Sequence, residues 1–168
     1  MIRTRLAASR QFAGGSLFAA LALTGCGPQQ MEKTEADIAT AVAEALTRGD
    51  TATVRLFIEV PFAFDSFYVA APGTAGATIA TALRTEKWIP EMSRGIETAT
   101  DFHLIVFETN KGKLIPARLP KSVADIAPEL TGRLWGPDNA IFSVRRSESG
   151  VPMLTARPAP AASAPSGL

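Results

Sequence analysis

The stretch Phe102-His103-Leu104-Ile105-Val106-Phe107-Glu108, followed by Asn110-Lys111-Gly112 and then Lys113-Leu114-Ile115-Pro116, decides the reading of the fold. Successive residues of a strand face opposite sides. Here both sides are apolar, with Phe102, Leu104 and Val106 on one and His103, Ile105 and Phe107 on the other. Such a strand is buried on two faces and belongs at the centre of a sheet. Asn-Lys-Gly between two such runs is hairpin chemistry, because Gly accepts the positive φ of a tight turn. Farther on, Ala140 to Arg146 and Val151 to Arg157 flank Glu148-Ser149-Gly150 and read as a second hairpin.

Working back from that centre, Phe62 to Ala70 reads as another strand. Val54, Leu56, Ile58 and Val60 alternate with Arg55, Phe57 and Glu59, a period of two that predicts a strand ended by Pro61. Ile38, Val42 and Leu46 recur every four residues and predict a helix over 34–48, with Thr34 as N-cap and Gly49 just past its end. The segment Ala71-Pro72-Gly73-Thr74 caps a short helix over 75–85, with Ile79 and Leu83 on one face. Residues 120–139, punctuated by Pro120, Pro128, Gly132, Gly136 and Pro137, read as a long irregular connection with one helical turn. The order α-β-β-α-β-β-β-β predicts an α+β fold: a mainly antiparallel sheet of about five to six strands with two helices, in one domain over residues 34–157.

The composition agrees with one small domain. The chain has 168 residues, 46% hydrophobic and 20% charged, too apolar for disorder and too charged for a multispan membrane protein. A formal charge of +1 excludes the strongly basic face of a dedicated nucleic-acid binder. One Cys excludes an internal disulfide framework, and one His leaves little material for a metal site. No cofactor and no metal are expected.

The beginning of the chain carries an address. Arg3, Arg5 and Arg10 precede an uncharged run from Phe12 to Leu23, too short to span a bilayer but suited to the apolar part of a signal peptide. The run ends in Leu23-Thr24-Gly25-Cys26, which resembles the lipobox of bacterial lipoproteins. In that family the Cys sulfur takes a diacylglyceryl group, the peptide is cut before the Cys, and the new amine is acylated. Cys26 is the only cysteine and falls at the required offset, so it is the expected lipidation site. Two or three acyl chains hold a protein firmly where one holds it marginally. The resemblance therefore implies attachment to the bacterial cell envelope through lipid on Cys26, facing the periplasm. Gly27 stands where an Asp would favour the inner membrane, which leans the expectation toward the outer one.

The chain thus divides into a lipoprotein signal peptide (1–25), a lipidated linker (26–33), a globular domain (34–157) and a Pro/Ala-rich tail (158–168) expected to be solvated. Cleavage removes the three signal arginines and leaves a slightly acidic chain, with no electrostatic case for nucleic acid or anionic lipid as partner.

Motifs of catalysis are lacking: no Gly-x-Ser-x-Gly, no Walker loop, no Gly-x-Gly-x-x-Gly and no His-Glu-x-x-His. His103 is the one imidazole, with Asp101 two residues away on the same strand face. Its apolar neighbours favour a buried, hydrogen-bonded ring over a catalytic one. Asp65 lies among aromatics in Phe62-Ala63-Phe64-Asp65-Ser66-Phe67-Tyr68, where a buried carboxylate would have a raised pKa and do acid work, or would bond backbone amides at a strand start. The structural role is favoured. Trp88 and Trp135 each stand beside turn residues and are expected in core or rim packing with the indole N–H satisfied. Arg145 and Arg146, with Arg157 opposite in the hairpin, make a small basic spot that blocks edge pairing.

Phe64-Asp65-Ser66-Phe67-Tyr68-Val69, a turn with Pro72, a short helix, Trp88, and Leu104-Ile105-Val106-Phe107 before Asn110-Lys111-Gly112-Lys113 together resemble a family of small uncharacterised bacterial lipoproteins. The likeness covers residues 60–146 and departs at Ala71-Pro72-Gly73, where that family has Pro-Tyr-Thr. It implies an envelope domain without assigned catalytic residues. The reading is a membrane-anchored lipoprotein with a non-catalytic binding or structural role. The alternatives are a small envelope enzyme using Asp65 or His103, and an accessory subunit of an envelope assembly with a protein partner.

Overall fold

The computed structural model describes residues 28–49, 52–86 and 90–157. The expected signal peptide (1–25), Cys26, Trp88 and the expected tail at 158–168 lie outside the described residues. Helix α1 spans Pro28–Arg48. It begins six residues before the expected start, so the stretch 28–33 assigned to a linker is its first turns. Pro suits the first position of a helix, where its missing N–H costs nothing, and Gln, Met, Glu and Lys continue it well. Thr34 is therefore not a cap. It lies buried inside the helix, its hydroxyl donating to the Gln30 carbonyl at 2.7 Å. Ile38, Ala41, Val42 and Ala45 form the buried stripe. Gly49 ends the helix as expected, at φ 115°.

The alternation over 54–60 resolves differently from the expected strand. Only Thr53–Arg55 is extended (β1), and the chain then makes one helical turn, Leu56–Glu59 (α2). Leu56 and Val60 are both buried, and four residues apart is the helical repeat, so the same apolar residues satisfy either period. What selects the turn is hydrogen bonding: the Leu56 N–H donates to Ala140 O at 3.0 Å, and the Val60 N–H closes back on Leu56 O at 3.1 Å.

Among the described residues there are eight strands, and they form two sheets rather than the single sheet expected. The class itself, α+β in one mainly antiparallel domain, is the one read from the sequence. In one sheet, β4 (Leu114–Pro120), β3 (Phe102–Thr109), β2 (Phe64–Ala70) and the two-residue β6 (Leu134–Trp135) lie side by side, all antiparallel. In the other, the order is β1, β7 (Ile141–Arg146), β8 (Pro152–Ala156) and β5 (Asp125–Ile126), with β5 parallel to β8. The last hairpin pairs outward with β1 and β5, so it starts a second sheet instead of extending the first. The connection at 120–139 thereby contributes two short strands and two 3₁₀ turns.

β3 is central and apolar on both faces, as its sequence predicts. Ile105 and Phe107 enter a large core shared with helix α1 and the second sheet, while Leu104 and Val106 enter a smaller one. The smaller core is roofed by helix α3 (Gly76–Ala82), through Ile79 and Leu83, and by Ile96. No side chain in 71–74 caps α3; its first amide, on Gly76, donates instead to Glu97 Oε1 at 2.7 Å. The β3–β4 turn closes with the Thr109 N–H on Lys113 O at 2.9 Å and Gly112 at φ 64°. Pro116 lies in β4, an edge strand, where its lack of a donor leaves the sheet intact.

Candidate functional site

His103 opens β3 on the large-core side and is only 4% exposed. Its Nε2–H donates to Asp125 Oδ1 at 2.7 Å, and the Ile126 N–H donates to the same oxygen at 2.9 Å. Asp125 begins β5, so this pair ties the two sheets together with a charged hydrogen bond. The partner is thus Asp125, twenty-two residues on, and not the neighbouring Asp101. His103 Nδ1 is buried and meets no hydrogen-bond partner. Burial, above all, holds the imidazole below its ordinary pKa, outweighing the attraction of Asp125; nearby Lys121 adds to the lowering. Protonating Nδ1 would create a donor with nothing to receive it. For Asp125, burial pushes the carboxyl up. The His103 and Ile126 N–H groups and the positive charge nearby pull it further down, and the net shift is below the usual carboxylate range.

One nitrogen of the ring is therefore engaged and the other sealed from solvent. Such an imidazole positions strands; a reacting molecule would have to displace Asp125 or open the core to reach it.

Asp65 is not buried. It is exposed, beside a register shift at the start of β2 opposite Thr109, while His103 lies at the other end of β3. About six strand residues separate the two levels, roughly 20 Å at the usual rise. The structure does not bring the two candidates together. Trp135 behaves as expected: it stacks on Phe67 with ring centroids 6.4 Å apart, and its Nε1–H donates to Leu130 O at 3.0 Å. Arg133 lies over the Trp135 ring, 3.9 Å from its centroid. Arg145 and Arg146 are exposed and pair with Met153 and Pro152, so Arg157 is at the opposite end of the hairpin and not across from them. β7 is not an edge strand either: β1 pairs with it from Ile141 to Ser143, and the Val144 N–H donates to Ala52 O at 2.9 Å.

A second polar cluster escaped the sequence reading. Glu35 Oε1 accepts from Arg94 Nη1 at 2.6 Å and from the Arg118 backbone N–H at 2.8 Å. Arg118 in turn donates to the Arg94 carbonyl and lays its guanidinium over the Phe102 ring at 4.8 Å. Arg94 holds φ 49°, a left-handed backbone that costs a non-glycine residue about 1–2 kcal/mol. Its three members come from α1, the loop after α3, and β4, so no local pattern announces them. The cluster seals an edge: Glu35 occupies the outward amide of Arg118, and Pro116 has none.

Three open clefts, of about 430, 440 and 390 Å³, have neither His103 nor Asp65 in their walls. The second reaches Tyr68, whose phenol burial holds above its ordinary pKa. Among the described residues no group of three or more His, Cys, Asp or Glu is placed to hold a metal ion, and no helix is long and apolar enough to cross a membrane. Set against protein-family models, curated proteins and solved structures, the chain matches none. The likeness to small lipoproteins rests on the quoted residues alone.

Proposed function

We propose that this protein is a lipid-anchored lipoprotein of the bacterial envelope, facing the periplasm, with a binding or structural role rather than a catalytic one. The observation that carries the reading is Leu23-Thr24-Gly25-Cys26, with the only cysteine of the chain at the lipobox offset. Helix α1 begins at Pro28, two residues later, so lipid on Cys26 would hold the domain directly, with no more than about 7 Å of extended chain between them. The non-catalytic part is supported by the His103 ring, closed at both nitrogens, and by its separation from Asp65. Gly27, in place of Asp, favours the outer membrane. The test is acylation. Cells given radiolabelled palmitate should yield labelled protein whose N-terminal peptide, by mass spectrometry, starts at Cys26. The Cys26→Ser variant should carry no label and retain residues 1–25. Label on that variant would overturn the proposal.

A further inference from the structure

The anchor point and the fold together say which way the domain would face. The first turn of α1 lies beside the β3–β4 turn: Gln30, Phe62, Ala63, Lys111, Lys113 and Ile115 line one groove of about 390 Å³. From Gln30 to Arg48 the helix rises about 27 Å, at 1.5 Å per residue. At its far end the Ala52 N–H meets Gly49 O at 3.0 Å, and the Val144 N–H meets Ala52 O at 2.9 Å. The β7–β8 turn, residues 147–150, follows directly from there. Helix α1 thus runs from the β3–β4 turn toward the β7–β8 turn.

We infer that the groove between the start of α1 and the β3–β4 turn is the membrane-facing surface of the anchored domain, with Lys111 and Lys113 set against phospholipid phosphates. The inference rests on the lipoprotein reading above. Its support is the length of chain outside the structure: only Gly27 stands between Cys26 and the groove's own helix, too little to carry the anchor around the domain. Charge adds direction. Lys111 is exposed at the tip of the turn and Lys113 half-buried beside it. The acids of this end are Glu32 and Asp65, both exposed, and Glu108, which already accepts from Ser66 Oγ at 3.1 Å. Two lysines against these three acids leave the face slightly negative overall. The tether supplies the binding, and the lysines, foremost on the turn, supply the orientation.

The experiment uses the full chain, processed in a bacterium, extracted in detergent and returned to vesicles of phosphatidylethanolamine and phosphatidylglycerol. Lipidation consumes the Cys26 thiol, so a cysteine introduced by Asn110→Cys or Ser149→Cys is the one thiol open to a fluorophore. Lipids carrying a headgroup nitroxide should remove most of the fluorescence at position 110 and leave position 149 unchanged. Adding Lys111→Glu and Lys113→Glu should restore much of the signal at 110. Equal quenching at both positions, stronger quenching at 149, or no response to the lysine changes overturns the inference while leaving the anchor in place. Intact mass separates the two ideas: a chain without acyl groups removes both the lipoprotein reading and the surface built on it.

Discussion

Replacing His103 by Leu removes the charged hydrogen bond that joins the two sheets at β3 and β5. A hydrogen bond to a charged group contributes about 1.5–3 kcal/mol. The Asp125 side chain is 37% exposed, so water can take part of the place left by the ring. The expected loss is then about 2 kcal/mol. For a folded unit of about 130 residues, the unfolding entropy near 60 °C is about 0.27 kcal/mol/K, so the melting temperature should fall by about 7 °C at pH 7.5. The pH dependence is a sharper check. The folded imidazole titrates below its ordinary value of 6.5, so the folded state resists protonation more than the unfolded state does. The wild type keeps its full stability above about pH 6.5 and loses some as pH falls below it, until the folded ring itself protonates. His103→Leu has no such group. Its deficit against the wild type should therefore shrink between pH 7.5 and pH 5, read by thermal melts monitored by circular dichroism. A variant as stable as the wild type at pH 7.5, or a deficit that widens on acidification, would refute this account of the pair. A variant that folds and anchors normally yet loses cellular function would return His103 to a catalytic role.

Val106→Asp places an unpaired carboxylate where the wild-type side chain is 0% exposed, between β3 and the α3 roof; it should cost about 4 kcal/mol or more and abolish a cooperative melt near the wild-type temperature. Asp65→Asn, at an exposed position beside a register shift, should change stability by no more than about 0.5 kcal/mol, and a melting shift of many degrees would show that the carboxylate has a structural partner.

What the sequence disclosed follows the strength of each local pattern. β3 was legible because Phe102, Leu104 and Val106 on one face and Ile105 and Phe107 on the other are all apolar, and the two hairpins because each turn carries a Gly that takes positive φ. Helix α1 was legible from its stripe but not at its start, since Pro28 to Lys33 lack an apolar period and read equally as linker. The residues 54–60 were ambiguous in principle, because Leu56 and Val60 fit strand alternation and one helical turn alike. Strands of two residues, such as β5 and β6, are shorter than any period. The assignment of hairpins to one sheet or two depends on pairings between distant segments, and the same is true of both polar clusters. His103 could be read as buried from its neighbours on β3, but Asp125 and the Glu35–Arg94–Arg118 group are brought in by chain folding alone.

The pairing of β1 with β7 joins Thr53 to Ser143, and this bears on the order in which the molecule assembles. Closing a loop of about 90 residues costs about 4 kcal/mol in chain entropy, beyond a constant, before any contact repays it. The β3–β4 hairpin faces almost none of that cost, because Glu108 meets Leu114 across a short turn. The meander of β2, β3 and β4 is therefore the natural nucleus, and the sheet containing β1 is the late event. Until Ile141–Arg146 arrives, Val54 and part of the apolar stripe of α1 have nothing to cover them. The C-terminal hairpin thus acts as the closing latch of the N-terminal helix, and a chain cut before Ile141 would keep its nucleus but expose a sticky flank.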